Sequence, residues 1–131
     1  MNQANHQLVR DFFAALSRGD LRDELFTEDV RFWTNTSGAS EKAKYQAGVK
    51  LLQSLFPQGL HYGVDSLTAE EDRVAAEVHG RGKLESGEEY ANTYVFTFRV
   101  RGGRIASVAE HCNSILVREK ILPLLKAVMR M

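Results

Sequence analysis

At Leu60 the apolar pattern of this chain changes period. Upstream, Leu8, Phe12, Ala15 and Leu16, flanked by Val9 and Phe13, recur at helical spacing. Ala43, Ala47, Leu51 and Leu55 recur every four residues, and Leu52 and Phe56 widen that stripe. Downstream the repeat is two, the spacing of a pleated strand. Two periods segregated into two blocks restrict the fold to helices packed on one face of an antiparallel meander, the α+β class. Strands this long must curl around those helices, and the curl predicts an internal cavity.

Punctuation refines the outline. Gly19 is placed to cap the first helix at its C-terminus, and Asp20 to start a short second helix carrying Leu21, Leu25 and Phe26. Residues 30–34, β-branched and aromatic, read as a strand, and 35–39 as a loop. Ser40 caps a third helix that Pro57 and Gly59 stop. Four further strands are predicted over 60–69, 73–84, 90–100 and 104–116. A charged turn, Glu70-Glu71-Asp72, and hairpin signals at Ser86-Gly87 and Arg101-Gly102-Gly103 separate them. The apolar tail, 117–131, is limited to short helical pieces by Pro123.

Composition narrows the function classes. A length of 131 residues suits one domain, 1–131. The 17 Lys and Arg balance 17 Asp and Glu, which argues against wrapping nucleic acid or docking on anionic membranes. A single cysteine, Cys112, leaves no internal disulfide and no cysteine-only zinc site. No apolar run approaches the roughly 20 residues of a membrane span. The opening residues lack the basic and apolar regions of a signal peptide. A cytoplasmic protein is therefore expected.

Register decides which side chains meet the cavity, because a slip of one residue turns a strand over. A two-residue Ser86-Gly87 turn pairs Arg81 with Asn92, His79 with Tyr94 and Glu77 with Phe96; a three-residue loop puts Gly80 opposite Tyr94. A three-residue Arg101-Gly102-Gly103 loop places Glu110 opposite Tyr94 and Cys112 opposite Asn92. A two-residue Gly102-Gly103 turn brings His111 and Asn113 to that face instead. The first option at both turns gives an inner face of Glu77, His79, Arg81, Asn92, Tyr94, Phe96, Phe98, Val108, Glu110 and Cys112. Ionisable groups among aromatics suit an apolar pocket with polar points. Val74, Ala76, Val78, Thr93, Val95 and Thr97 then form the opposite face, apolar enough to join two copies in a homodimer.

The opening Leu-Val-Arg-Asp-Phe-Phe-Ala-Ala-Leu-Ser-Arg-Gly-Asp and Leu-Phe-Thr-Glu-Asp-Val-Arg-Phe-Trp resemble the NTF2-like superfamily. So do the late Tyr-Ala-Asn-Thr-Tyr-Val-Phe-Thr-Phe and Gly-Gly-Arg-Ile-Ala-Ser-Val-Ala-Glu-His-Cys-Asn. Within it the chain is most similar to the SnoaL-like branch of polyketide cyclases, ketosteroid isomerases and limonene-epoxide hydrolase. The resemblance implies a conical cavity in a curved sheet and a dimer joined through the sheets. Ketosteroid isomerases use a tyrosine and two acids where this chain has Phe12, Thr34 and Phe96, so that mechanism is not implied. The Asp-Arg-Asp set of the epoxide hydrolase, with its tyrosine and asparagine, falls on Glu110, Glu77, His79, Phe32 and Thr34, keeping one acid in kind. The cyclases place an acid near Glu110 and a histidine near Phe96; the nearest histidine here, His79, lies one strand over.

These readings nominate residues, each with a plainer alternative. His79 beside Glu110 makes a general base oriented by a carboxylate, or is a histidine on a solvated or dimer face. Glu77 and Glu110 share a proton, or are surface glutamates. Tyr94 donates to a developing oxyanion, or is a pocket wall. Arg81 holds an anion, or is solvated. Asn92, Phe32, Trp33, Phe56, Phe96 and Phe98 complete the expected ligand-binding wall. The spacing of His61, His79 and His111 demands no metal, and no cofactor motif is present. Two function classes follow. One is a cofactor-independent enzyme doing acid–base chemistry on a small apolar carbonyl or polyketide-like substrate. The other is a non-catalytic dimeric module holding a small apolar ligand. A buried Glu110 with a raised pKa favours the enzyme; Glu110 paired with Arg81, and His79 outside, favours the binder.

Overall fold

A computed structural model of the chain describes residues 2–130; Met1 and Met131, the ends of the expected domain, lie outside the described residues. The order is α1 (Asn2–Arg18), a 3-10 turn (Asp23–Leu25), β1 (Phe26–Thr34), β2 (Gly38–Ser40), α2 (Lys42–Gln53), β3 (His61–Glu70), β4 (Arg73–Lys83), β5 (Glu89–Arg101) and β6 (Arg104–Cys112). A C-terminal helix follows in three pieces: α3 (Ser114–Leu116), a π-helical turn (Val117–Ile121) and α4 (Leu122–Met129). The six strands form one sheet in the order β2-β1-β6-β5-β4-β3. The α+β layout is as expected, but the sheet is mixed. β1 runs parallel to β6, and every other neighbour pair is antiparallel.

α1 ends where Gly19 adopts φ +70°. Gly19 N–H donates to Leu16 C=O and Asp20 N–H to Ala15 C=O, so two of the free carbonyls at this end are satisfied. The expected second helix is only the 3-10 turn, and Phe26 instead opens β1. The buried face of α1 drives Phe12 and Phe13 edge-on into Phe96 and Phe98, with centroids 4.9–6.0 Å apart. Gln53 joins three elements: its Nε2 donates to Leu16 and Leu60 carbonyls, and its Oε1 accepts from Leu60 N–H. A second apolar cluster, Leu55, Phe56, Leu60, Leu84, Tyr90 and Ile121, seats the C-terminal helix.

Both hairpins depart from the expected turns. The β4–β5 loop is Glu85-Ser86-Gly87, closed by Leu84 N–H to Glu88 C=O, with Gly87 at φ +91°. It starts one residue earlier than the Ser86-Gly87 turn. Val78 therefore faces Tyr94, Ala76 faces Phe96, and Gly80 faces Asn92. This turns β4 over. Val74, Ala76 and Val78, expected on a dimer face, are buried in the chain's own core. Glu77, His79 and Arg81 point outward. At the next hairpin Gly102 and Gly103 form the two-residue turn, both with positive φ. Alone, that turn would have exposed Glu110. A bulge at Ala106, between the pairs Val100–Ile105 and Arg99–Ser107, restores parity, and Val108, Glu110 and Cys112 face inward.

Candidate functional site

All four tyrosines of the chain converge on Glu110. Glu110 sits on the inner face of β6, paired with Phe96 of β5 on one side and Thr34 of β1 on the other. Tyr45, from α2, stacks on Phe32 at 4.2 Å and donates its hydroxyl to Glu110 Oε1 at 2.9 Å. Among the described residues Tyr45 is the sole hydrogen-bond partner of that carboxyl, so the second oxygen keeps its acceptor capacity. Burial raises Glu110 to about pKa 7, against the opposing hydrogen bond from Tyr45. Glu110 therefore carries or releases a proton near neutrality. Burial and the Glu110 charge both push the Tyr45, Tyr62 and Tyr94 phenols upward, which keeps them protonated donors. Burial likewise moves the neighbouring Cys112 thiol up to about 11, so this cysteine is a poor nucleophile.

Along β5 the inner side chains run Tyr90, Asn92, Tyr94, Phe96 and Phe98, from polar to apolar. Gly80, opposite, makes room: a Cβ there would come within 2.9 Å of the Tyr94 ring. The Tyr62 and Tyr94 rings lie 5.4 Å apart. Tyr90 and Tyr94 hydroxyls are 3.1 Å apart, and Asn92 Nδ2 donates to the Tyr90 hydroxyl at 2.8 Å. The same Nδ2 donates to Asn113 C=O, while Asn92 Oδ1 accepts from Thr93 and Asn113 N–H groups. Both donors and both acceptor positions of this buried amide are thus occupied.

Several expected roles change with these placements. His79 and Glu110 lie on opposite sheet faces, so the His79–Glu110 base pair does not form. His79 Nδ1 instead bonds Asp65 Oδ1 at 2.8 Å. Glu77 accepts from Ser66 Oγ on the outer face, so no Glu77–Glu110 pair exists. Arg81 is exposed, away from any ligand space beside Glu110. Trp33 alternates outward from Phe32 and lies 5.0 Å from His111, again outside. Asn92 faces inward but has no hydrogen-bonding capacity left for a ligand. Phe56 is buried in the second cluster, against Tyr90. Phe32, Tyr94, Phe96, Phe98 and Glu110 do come together. The sequence reading missed Tyr45 and Tyr62. Tyr45, Val49, Leu52 and Phe56 form a helical stripe as regular as the one chosen, with a tyrosine at its head. Among the described residues no group of three or more His, Cys, Asp or Glu is placed to hold a metal ion. Two surface cavities, of about 250 and 370 Å³, lie at the β4–β5 end and on the outer face, and neither is lined by Glu110.

Residues 9–108 match the family model of the SnoaL-like domain. The chain belongs to the SnoaL-like domain family. Among solved structures, this SnoaL-like domain is similar to a candidate SnoaL-like polyketide cyclase from Jannaschia sp. CCS1. Identity is 20%, TM-score 0.78, with 91% of this chain and 92% of that one covered. An NTF2-like protein from Anabaena variabilis ATCC 29413 is 25% identical, with TM-score 0.74 and coverages of 85% and 87%. IdmH, a candidate polyketide cyclase from Streptomyces antibioticus, is 18% identical, with TM-score 0.77 and coverages of 87% and 95%. No curated protein matches the chain. The family match ends at Val108, two residues before Glu110, so the case for Glu110 rests on its surroundings.

Proposed function

We propose that this SnoaL-like domain is a cofactor-independent enzyme of cyclase or isomerase type. Its substrate is a small, largely apolar carbonyl compound, polyketide-like in chemistry. The observation that carries the reading is a single carboxyl poised near pH 7, enclosed by tyrosine donors. In this mechanism Glu110 removes a proton from the carbon next to the carbonyl and returns it at another position. Tyr94 and Tyr62 donate to the oxygen as negative charge develops on it. Tyr45 holds the carboxyl in place. The inner strand faces present no lysine or arginine, so an uncharged substrate is favoured over a carboxylate or phosphate.

The placement of His79 on the outer sheet face, away from Glu110, supports a second reading, a ligand-binding module without turnover. One experiment separates the two. Small apolar β-diketones and cyclic ketones are incubated in deuterated buffer, and exchange at the α-carbon is followed by NMR. The enzyme reading expects catalysed exchange that Glu110→Gln slows by about 10²–10⁴-fold. Binding without exchange, or equal rates in both proteins, would leave the module reading. Pairing of two copies through the outer sheet face belongs to either reading. Trp33 and Val95, 40% and 44% exposed, are its apolar points.

A further inference from the structure

We propose that Asn92 is a positioning residue that sets the direction of the Tyr90–Tyr94 hydroxyl pair and couples it to the C-terminal helix, which thereby acts as a responsive cover over the tyrosine end of the site. This builds on the reading of Tyr94 as a donor to substrate. The orientation of the Asn92 amide follows from its partners. Two backbone N–H groups, of Thr93 and Asn113, point at one end, which must be the oxygen. The NH₂ end then faces Asn113 C=O and the Tyr90 hydroxyl. Tyr90 oxygen accepts from Asn92, and in the proposed order Tyr90 gives its own proton to Tyr94 oxygen, 3.1 Å away. Tyr94, accepting there, keeps its own proton to give into the site. Asn92 thus orders the chain so that the terminal donor is Tyr94.

The other end of Asn92 holds the root of the helix. Asn113, bound through both its N–H and C=O, is the N-cap of α3, and its side chain accepts from Ile115 N–H. Beyond it the helix is built to yield. Pro123 has no N–H to donate back to Glu119, and Leu122 N–H reaches to Val117 C=O, giving the wide π-helical turn. The helix is seated by buried Ile121 and by Lys120, whose Nζ lies 2.9 Å from Glu88. Ile121 packs in the cluster that holds Tyr90 and Phe56, and Tyr62 touches both this cluster and the main core. A ligand that pulls on Tyr94 therefore pulls, through Tyr90 and Asn92, on the residue from which the cover swings.

Amide hydrogen exchange on the full chain tests this without any substrate. Asn92→Asp keeps both acceptors but loses both donors, sets an oxygen against Asn113 C=O, and reverses the Tyr90–Tyr94 order. Residues 113–121 should exchange on the order of tenfold faster, while β4 and β5 keep their wild-type rates. Tyr94→Phe, which removes a hydroxyl bonded to Tyr90 and to no residue of the helix, should speed exchange over the same stretch by several-fold. If Asn92→Asp does not fold, Tyr94→Phe decides alone. Uniform acceleration across the strands would reduce Asn92 to a structural residue and overturn the proposal. Wild-type rates at 113–121 in either variant would also overturn it. Loss of this coupling while Glu110→Gln still slows α-carbon exchange would sink only the role of Asn92; retained coupling without turnover would sink the enzyme reading instead.

Discussion

Burial moves the Glu110 carboxyl from its ordinary 4.5 to about 7, so the native state holds a proton that the unfolded chain releases. Between those values the native state binds more protons than the unfolded one. Stability therefore falls as pH climbs from about 4.5 to about 7, and is level above. Glu110→Gln stays neutral and still accepts from Tyr45. It should melt with the wild type near pH 4 and be more stable at pH 8, by at most about 3 kcal/mol. Thermal unfolding across pH 4–8.5 checks the sign; a variant weaker at pH 8 would mean that the ionised carboxylate is held by contacts stronger than burial. Such a variant, gaining stability while losing turnover, is the pattern expected of a functional group in a costly position. Glu110 was legible from the sequence as an acid among small and apolar strand residues. Tyr45 was not, because its role depends on which of two equally spaced stripes of α2 faces the sheet, and that is decided by stacking on Phe32.

Among elements, the hairpins separate what a sequence specifies from what it leaves open. Strand identity follows from alternation and turn residues, and all four late strands start within one residue of their expected places, although the last, expected to run to 116, ends at Cys112 where Asn113 caps the C-terminal helix. Which face a strand presents depends on a single residue of loop length. At β4–β5 the three-residue loop with Gly87 in the left-handed region carries His79 outside. At β5–β6 a turn of the other parity is compensated by Ala106, a residue with no distinguishing feature in the sequence. The bulge yields its own prediction. Deleting Ala106 should straighten the strand yet keep Ser107 opposite Arg99 and Glu110 opposite Phe96, so that Glu110 and Cys112 stay inward. Cys112, whose thiol burial holds at about 11, should then be alkylated by iodoacetamide as slowly as in the native chain. Much faster alkylation in a folded deletion variant would show that the strand re-pairs and that residue count alone does not fix the inner face.

For the molecule as a whole, turning β4 over removes half of the expected dimer face. Val74, Ala76 and Val78 are committed to the core, and the outer face now presents Ala75, Glu77 and His79 beside Thr93, Val95 and Thr97. What remains apolar is centred on β1, β5 and β6, at Trp33, Ala109 and Val95. If two copies pair through this face, Val95→Glu should shift a dimer to monomer in sedimentation at micromolar concentration, with the melting temperature of the monomer nearly unchanged. A wild type that sediments only as monomer would end that reading. Among the described residues, no helix is long and apolar enough to cross a membrane.

The parallel seam between β1 and β6 orders events in time as well as in space. Asn35 at the end of β1 bonds both backbone groups of Cys112, 77 residues later in the chain. During synthesis, β1 has no partner for its inner edge until almost the entire protein has emerged. Phe26 and Phe32 must wait, uncovered by β6, through the making of four other strands. Contacts so distant along the chain close slowly. Glu110, on the strand that completes the seam, enters its tyrosine enclosure in that last step, so a chain stalled before it would hold two unjoined pieces of sheet, β2-β1 and β5-β4-β3, and no proton-carrying centre.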